Sequence, residues 1–261
     1  MKPLVIKLGG RALEPPGAAR ELAEELRALA RPVVLVHGGG AEVSAWCTRL
    51  GLIPRFSDGL RVTDPATLEV ATAVLAGLAN KRLVAALRAR GLDAIGLSAL
   101  DAGLARVVPH ASAARLGEVG EVRSVDAAWL SQLAAEGRVP VISSIGADGE
   151  RLLNLNADDL AAAIATSLGA PLWLLSDVEG VALEGRLAAR LDARDAEAAL
   201  RSPHVTGGMA PKLRAAIAAT LAGVPEVWIA RWSGPGTLAA LLKGTATGTR
   251  MTAGIEETHH A

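Results

Sequence analysis

Short apolar runs alternate along the chain with longer segments whose apolar residues recur at helical spacing. Pro3–Lys7 and Pro32–His37 are almost entirely apolar and predict strands buried on both faces, whereas Ala18–Ala30 predicts an amphipathic helix. The pattern predicts further strands at 94–97, 105–109, 118–125, 139–145, 172–176 and 227–230. It predicts further helices at 41–50, 64–90, 127–135, 157–168, 195–200, 211–221 and 237–242. This alternation predicts an α/β fold with an open, mainly parallel sheet sandwiched between helices.

Two segments carry local signals of their own. Residues 55–63 contain Asp58-Gly59 between β-prone residues and predict a hairpin. The helix at 64–90 begins with Asp64 as N-cap and Pro65 in the first turn, and Gly91 ends it. It is long for a globular helix. Its apolar residues cover so much of the helix surface that one side could face a second subunit.

Composition excludes several functional classes. The 261 residues suffice for one large α/β domain or two lobes, and 51% of them are hydrophobic. Lys and Arg together number 27, as do Asp and Glu, so no net field favours nucleic acid or an anionic membrane. The single cysteine, Cys47, excludes an internal disulfide and lies in a helical apolar pattern that indicates packing.

Targeting signals are also lacking. No basic segment followed by a long apolar one opens the chain, so no signal peptide is predicted. The longest uncharged run, 160–176, is interrupted by Gly169-Ala170-Pro171 and predicts a helix, a turn and a strand instead of a membrane span. We therefore expect a cytoplasmic protein with neither membrane nor nucleic acid as a partner, and a frayed tail after Ala253.

Glycines cluster where predicted strands end or helices begin, at Gly9-Gly10, Gly38–Gly40 and Gly207-Gly208. Glycine lets backbone N–H groups approach an anion closely, although each cluster by itself is also explained by a tight turn. The G-x-G-x-x-G pattern fails at Val43, and the phosphate loop G-x-x-x-x-G-K-[ST] is absent. The esterase alternative, suggested by the run H-G-G-G, lacks a G-x-S-x-G nucleophile.

Two of the chain's five lysines stand beside these glycines. Lys7 ends an apolar strand, and Lys212 falls in the first turn of a helix, where a positive charge opposes the helix dipole unless an anion binds. Asp158 falls in the first turn of another helix, behind Asn156 as a plausible N-cap, and helix capping would also explain it. Lys7, Asp158 and Lys212 form a candidate set around a transferring phosphoryl group, with the carboxylate holding both lysines in place.

These pieces, in this order, resemble the acetylglutamate kinases of the amino acid kinase family. The resemblance extends from about Pro3 to Met251 and is carried by KLGG (7–10), HGGG (37–40), GLRVT (59–63), ANK (79–81), NLNAD (154–158), LLSDVEGV (174–181) and TGGMAPK (206–212). It implies transfer of the ATP γ-phosphoryl group to the γ-carboxylate of N-acetyl-L-glutamate, in arginine biosynthesis. It also implies a homodimer, with a substrate and dimerisation lobe over 1–168 and a nucleotide lobe over 169–261.

The resemblance assigns roles residue by residue. It implies that Lys7 and Lys212 stabilise the phosphoryl group and that Asp158 orients them, with Gly10 as a further catalytic residue. Substrate binding falls on Gly39, Gly40, Arg61 and Asn154, of which Arg61 and Asn154 hold the α-carboxylate end. ATP binding falls on Ser176, Asp177, Gly180, Gly207, Gly208 and Met209. Mg²⁺ is expected to be bound mainly through the nucleotide, with no metal-ligating residues of the protein.

Two alternatives remain open at this point. A related kinase of the same fold could act on carrier-bound aminoadipate or on another carboxylate or carbamate, and the pocket around residues 55–63 would decide this. A non-catalytic amino-acid or nucleotide sensor could share the scaffold, although such a protein has no need to keep Lys7, Asp158 and Lys212. A carboxylate acceptor is already ionised at neutral pH, so the kinase reaction needs no general base.

Overall fold

An eight-stranded sheet runs through the structure, a computed structural model that describes residues 1–9, 11–202, 205 and 207–252. In chain order the strands are β1 Leu4–Leu8, β2 Val33–His37, β3 Arg55–Ser57, β4 Leu60–Val62, β5 Asp93–Ser98, β6 Ala105–Pro109, β7 Val119–Val125, β8 Arg138–Ser143, β9 Ile145–Asp148, β10 Arg151–Leu155, β11 Leu172–Ser176, β12 Ala182–Leu183, β13 Arg186–Leu187, β14 Arg190–Asp192, β15 Val227–Arg231 and β16 Gly248–Thr252. The main sheet has the order β14-β16-β15-β11-β1-β2-β8-β5, and only the β15–β16 pair is antiparallel. The predicted α/β fold with a mainly parallel sheet is confirmed.

Helices cover both faces of this sheet. They are α1 Ala18–Ala28, α2 Gly40–Arg49, α3 Pro65–Arg88, α4 Ala113–Leu116, α5 Ala127–Ala135, α6 Ala157–Leu168, α7 Ala193–Leu200, α8 Met209–Leu221 and α9 Thr237–Leu242. Alternate residues of β1 separate the two faces: Leu4, Ile6 and Leu8 pack with α1 and α3, whereas Val5 packs with α6. Lys7 follows Val5 by two positions, so its side chain leaves the sheet on the α6 face.

Strand β1 lies where the chain reverses its direction across the sheet. From β1 the order runs to β2 on one side and to β11 on the other, with Lys7 between Val36 and Leu174. In open α/β sheets, ligands bind beyond the carboxyl ends of the strands at such a switch point. The topology therefore places Lys7 at the position where a parallel sheet of this kind opens a crevice.

A second sheet, β6-β7-β10-β9, and the β3–β4 hairpin lie outside the main sheet. The predicted hairpin is confirmed, with Asp58 and Gly59 at positive φ between its strands. The single strand predicted at 139–145 is wrong at its end, because β8 stops at Ser143 and Ile145 starts β9 in the second sheet. The prediction also missed β10, which returns antiparallel to β9 across Gly149 and Glu150, and it missed β12, β13, β14 and β16.

The long predicted helix is confirmed as α3, with two features that its sequence did not predict. Residues Ala73–Ala79 form π-helical turns. Among the described residues, α3 alone has the length and apolar composition of a membrane span. However, Val74 and Leu75 pack in a cluster with Val43 and Cys47, and Leu83 packs in the main core, so we interpret α3 as a core helix. The tail after Ala253, expected to be frayed, lies outside the described residues.

Candidate active site

Lys7, Asp158 and Lys212 meet at the carboxyl edge of the main sheet. The Oδ1 atom of Asp158 lies 2.8 Å from Nζ of Lys7 and 3.1 Å from Nζ of Lys212. All three residues are buried, with relative exposures of 5%, 7% and 5%. One carboxylate oxygen therefore holds two ammonium groups. Lys7 comes from β1, Asp158 from the first turn of α6 and Lys212 from the first turn of α8.

Local structure explains how Asp158 reaches this position. The Asn156 side chain caps α6 by accepting hydrogen bonds from the N–H groups of Asp158 and Asp159, at 2.8 and 3.1 Å. Capping is thus the work of Asn156, as predicted, and the Asp158 carboxylate remains available for the lysines. The same carboxylate supplies the anion that a lysine at the start of α8 requires.

Burial and the neighbouring charges shift the pKa values of Lys7 and Asp158. Burial lowers the pKa of Lys7 to about 8; the Asp158 carboxylate acts in the opposite direction, and the Lys212 charge adds to the lowering. Burial raises the pKa of Asp158, but the two ammonium groups outweigh burial and bring it to about 2. The ionised aspartate therefore sits beside two cations that a second anion would stabilise further.

Gly9 makes room for the Lys7 side chain. A Cβ atom at Gly9 would overlap the ammonium nitrogen of Lys7 and lie 3.0 Å from its Cε. A broader guanidinium in the same place would meet this backbone as well, which gives a steric reason for lysine at position 7.

A cavity of about 170 Å³ opens beside the triad. Six residues singled out in the sequence line it: Lys7, Gly39, Gly40, Arg61, Asn154 and Asp158. The first residues of α2 and α6, Gly40 and Ala157, also line it, so two helix N-termini with their positive dipole ends face the same space. The lining thus combines cations, helix N-termini and glycine backbone, which together favour an anionic ligand.

Arg61 is the other cation in this lining, and its guanidinium lacks a full set of hydrogen-bond partners. Its Nη2 donates to the carbonyl of Gly40 at 2.6 Å and to the hydroxyl of Ser44 at 2.9 Å, whereas Nη1 is buried with no acceptor among the described residues. Burial lowers the pKa of this guanidinium. The ring of Phe56 covers it at 4.7 Å from the guanidinium carbon. Its partners are all neutral, so the guanidinium can bind a carboxylate.

Asn154 lies on β10, shortly before α6, and donates to the hydroxyl of Thr63 at 3.1 Å. That contact joins the second sheet to the end of the β3–β4 hairpin, on which Arg61 lies. The tip of the hairpin also reaches the residues before α8, because a Cβ at Gly59 would lie 2.7 Å from the carbonyl of Gly207. The hairpin therefore contacts both the second sheet and the start of α8.

The residues expected to bind nucleotide lie at the same sheet edge, on the side of β11 and α8. Ser176 ends β11 and is buried, Asp177 follows it on the surface, and Gly207, Gly208 and Met209 lead into α8. Gly180 has a packing reason of its own, because a Cβ there would lie 2.6 Å from Oγ1 of Thr249. Gly10, expected to be catalytic, lies outside the described residues.

Sequence reasoning missed several residues of the cavity. Phe56 lies at its mouth, 57% exposed, and is the chain's single phenylalanine. Ser144 also lines the cavity, and so does Asn156, which was predicted only as a helix cap. An exposed aromatic in a hairpin beside a predicted ligand arginine was a usable signal for Phe56. Ser144 has no such signal, because its position depends on the break between β8 and β9.

Comparison with known proteins shows which family the chain resembles. The sequence profile of the amino acid kinase family matches residues 2–231. The acetylglutamate kinase of Chloroflexus aurantiacus is 45% identical, over 88% of this chain and 92% of its own. The acetylglutamate kinase of Methanopyrus kandleri is 44% identical, over 93% of this chain and 98% of its own.

A solved structure extends the similarity to the fold. The smu.665 protein of Streptococcus mutans superimposes with a TM-score of 0.81 at 27% identity, covering 96% of this chain and 98% of that one. The family profile covers most of the residues, and the relatives align over nearly their whole lengths. This chain belongs to the amino acid kinase family.

Proposed function

We propose that this enzyme phosphorylates the γ-carboxylate of N-acetyl-L-glutamate with ATP, giving an acyl phosphate and ADP in arginine biosynthesis. The observation that carries the proposal is the buried Lys7–Asp158–Lys212 triad opening onto a small cavity with a second, incompletely paired cation, Arg61. Relatives at 44–45% identity that are named acetylglutamate kinases support the choice of substrate.

The chemical difficulty is the repulsion between two anions, the attacking carboxylate and the ATP γ-phosphate. Two unit charges 4 Å apart repel by about 1 kcal/mol in water and by about 4 kcal/mol at an effective dielectric constant of 20. Lys7 and Lys212 reduce this repulsion, because their ammonium groups are fixed before the substrates arrive and Asp158 balances only one of the two charges. Catalysis then rests on positioning and electrostatic stabilisation, and no residue has to remove a proton.

Arg61 and Asn154, which line the same cavity as Lys7 and Asp158, orient the acceptor. The unpaired Nη1 of Arg61 binds the α-carboxylate, and Asn154 supports the same end of the molecule. Holding the non-reacting end in this way aims the γ-carboxylate at the triad. Gly39 and Gly40 at the start of α2 line the path between the two ends.

Nucleotide binding falls to the part of the chain after Gly169. Ser176, Asp177 and the glycines before α8 lie at the same edge as Lys212, where ATP would present its γ-phosphate to the triad. Among the described residues, no three metal-binding side chains converge. Mg²⁺ arrives with the nucleotide, where it neutralises phosphate charge.

Residues 1–168 form the lobe for the amino acid, and residues 169–261 form the lobe for the nucleotide. Two copies pair through α3, on which Leu78 is 44% exposed, and the enzyme works in the cytoplasm as a homodimer. A related acceptor, such as carrier-bound aminoadipate or another carboxylate, remains the second candidate, because the triad and Arg61 would serve any such acid.

Trapping the product with hydroxylamine separates these candidates. The purified chain is incubated with MgATP, hydroxylamine and one acid at a time: N-acetyl-L-glutamate, glutamate, aspartate or N-acetyl-aminoadipate. We expect hydroxamate from N-acetyl-L-glutamate and little from the other three, because the relatives at 44–45% identity are named acetylglutamate kinases. Hydroxamate formed best from N-acetyl-aminoadipate would favour the second candidate, and none from any acid would contradict the kinase assignment.

Replacing Arg61 by alanine should raise KM for the acyl amino acid by at least about tenfold, because the arginine grips a carboxylate that does not react. Turnover at saturating substrate should change much less. Initial rates over a range of acceptor concentrations test this, with Arg55→Ala, an exposed arginine of the same hairpin, as the matched control. A loss confined to kcat would place Arg61 elsewhere in the reaction.

A further inference from the structure

A completely buried amide lies directly behind the glycine run that lines the cavity. Asn80 has no exposed surface and follows the π-helical turns of α3. Its Nδ2 lies 2.8 Å from the carbonyl of Val141 on β8 and 3.3 Å from that of Leu97 on β5. The same Nδ2 lies 3.1 Å from Nε2 of His37 at the end of β2. One side chain thus joins three neighbouring strands of the main sheet at their carboxyl ends.

These contacts fix the orientation of the amide and, through it, the tautomer of His37. Carbonyl oxygens only accept hydrogen bonds, so the Asn80 atom that faces Val141 and Leu97 is the NH₂ group. Since that group also faces Nε2 of His37, Nε2 must be the acceptor. The ring proton is therefore on Nδ1, which donates to the carbonyl of Gly38 at 2.9 Å.

The Gly38 carbonyl determines the direction of the next backbone N–H. In a planar trans peptide, the carbonyl of Gly38 and the N–H of Gly39 point to opposite sides. His37 is in register with Leu8, and Val36 is in register with Lys7, so the imidazole lies on the sheet face opposite Lys7. Holding the Gly38 carbonyl towards His37 therefore turns the Gly39 N–H towards the face of Lys7 and its cavity.

The Gly39 N–H is free to serve a ligand. No acceptor for it lies within hydrogen-bonding distance in the described part of the chain. Gly39 lines the cavity that contains Lys7 and Asp158, and it precedes the first residue of α2. A donor in that position adds to the charge stabilisation that the two lysines provide.

Neighbouring residues leave little freedom for any other arrangement. A Cβ at Gly96, in the middle of β5, would overlap the Oδ1 of Asn80, so the strand carries a glycine where the amide enters. Nζ of Lys81 donates to that Oδ1 at 3.1 Å. A Cβ at Gly39 would lie 2.8 Å from Cδ2 of Leu75, which belongs to the π-helical turns. The unusual helix segment thus supports both Asn80 and the glycine run.

We propose that His37 and Asn80 are positioning residues for phosphoryl transfer: Asn80 holds His37, and His37 holds the Gly38 carbonyl so that the Gly39 N–H faces the transferring group. The proposal rests on the proposed function, because it assigns a task within that reaction. Neither side chain touches the substrate. They affect the reaction only through the orientation of the peptide plane between Gly38 and Gly39.

Two substitutions of His37 separate its two hydrogen bonds. In His37→Asn the side-chain nitrogen is bonded to Cγ, as Nδ1 is in histidine, so a donor to Gly38 is retained and the contact with Asn80 is lost. In His37→Gln the polar atoms lie one bond further out, near Nε2, so the Asn80 contact is retained and the donor to Gly38 is lost. The pair is matched in polarity and nearly matched in size.

We expect His37→Gln to lower kcat by about 10- to 100-fold with little change in KM, because the misaligned N–H matters most in the transition state. His37→Asn should keep a kcat at least about tenfold higher than that of His37→Gln. A His37→Gln variant as active as the unsubstituted chain, or a His37→Asn variant as impaired as His37→Gln, would overturn the proposal. Thermal unfolding of both variants is measured alongside. A role in folding alone would lower their stability without making the kcat of His37→Gln lower than that of His37→Asn.

A spectroscopic measurement tests the same arrangement without activity. Imidazole ¹⁵N spectra of the unsubstituted chain at pH 7 should show a neutral His37 with its proton on Nδ1, assigned by loss of the signal in His37→Asn. A proton on Nε2, or on both nitrogens, contradicts the proposal whatever the turnover of the two variants. Failure of the proposed function is seen separately, as an unsubstituted chain that forms no hydroxamate.

Discussion

Replacing Lys7 by alanine should lower kcat by about 10²-fold or more, the scale of losing one preorganised charged donor at a developing anion. The Lys7 ammonium lies 2.8 Å from Asp158 and lines the cavity, so its removal takes a fixed positive charge from the site of transfer. Lys212 still pairs with Asp158 in this variant, and the carboxylate does not become an unpaired buried charge. We therefore expect a folded protein with a defect in chemistry.

Steady-state kinetics with N-acetyl-L-glutamate and MgATP measure the Lys7→Ala effect, and thermal unfolding checks the fold. Lys243→Ala is the matched control, because that lysine is exposed at the end of α9. Lys7→Arg keeps the charge but brings a broader group against the backbone of Gly9, so it should restore little of the lost turnover. Near-normal turnover in Lys7→Ala would remove the lysine from the mechanism.

The second large effect is expected for Asp158→Asn, with a loss of turnover of about 10²-fold. An asparagine of the same shape leaves two ammonium groups near one neutral oxygen, so they repel each other without a counter-charge. The lysines then move apart or one of them loses its proton. Either outcome removes the fixed pair of charges on which the proposed reaction depends.

A pH profile distinguishes this role of Asp158 from a merely structural one. The Asp158 charge raises the pKa of Lys7 against the effect of burial, and Lys7 acts as the ammonium ion. The kcat/KM of the unsubstituted chain should therefore fall as pH rises through about 8. In Asp158→Asn this alkaline limb should move to lower pH. An unchanged profile together with full activity would leave Asp158 with no part in the reaction.

The same titrations indicate why the triad is better explained by function than by stability. The pKa of Asp158 falls from 3.8 to about 2 on folding, so its contribution to stability is present above pH 3.8 and is lost as pH falls through about 2. The pKa of Lys7 falls from 10.5 to about 8, so folding disfavours its proton and this cost disappears only as pH rises from 8 towards 10.5. At neutral pH the two effects oppose each other.

Much of the secondary structure was predictable because local signals act within one segment. The apolar run at Val33–His37 and the Asp64-Pro65 start of α3 need no distant partner to be recognised. The strands β14 and β16 were missed because they are short and Arg-containing, and pairing at the sheet's edge determines them. The β9–β10 hairpin was missed although Asp148-Gly149 marked its turn, since the run before it was taken as one strand.

The candidate site was also predictable only in part from the sequence. Lys7 and Lys212 were recognisable from the sequence because each one conflicts with its local surroundings, an apolar strand in one case and a helix start in the other. The distances that join the two lysines to Asp158 could not be recognised from the sequence, and neither could the stacking of Phe56 on Arg61. Asn80 belongs to the motif ANK (79–81), but the sequence assigned it no role, because an asparagine in a helix is ordinary until three strands are found around it.

The sequence by itself determined the class of fold, the order of the motifs and the residue types available for phosphoryl transfer, because apolar periodicity, caps and glycine positions are properties of neighbouring residues. Only the tertiary structure decided that β1 lies at the switch point of the sheet and that α6 and α8 point their first turns at it. It also decided which buried polar atoms are paired and which are not. Strand order and burial depend on contacts between distant segments, and such contacts set both the distances and the pKa values on which the proposed chemistry depends.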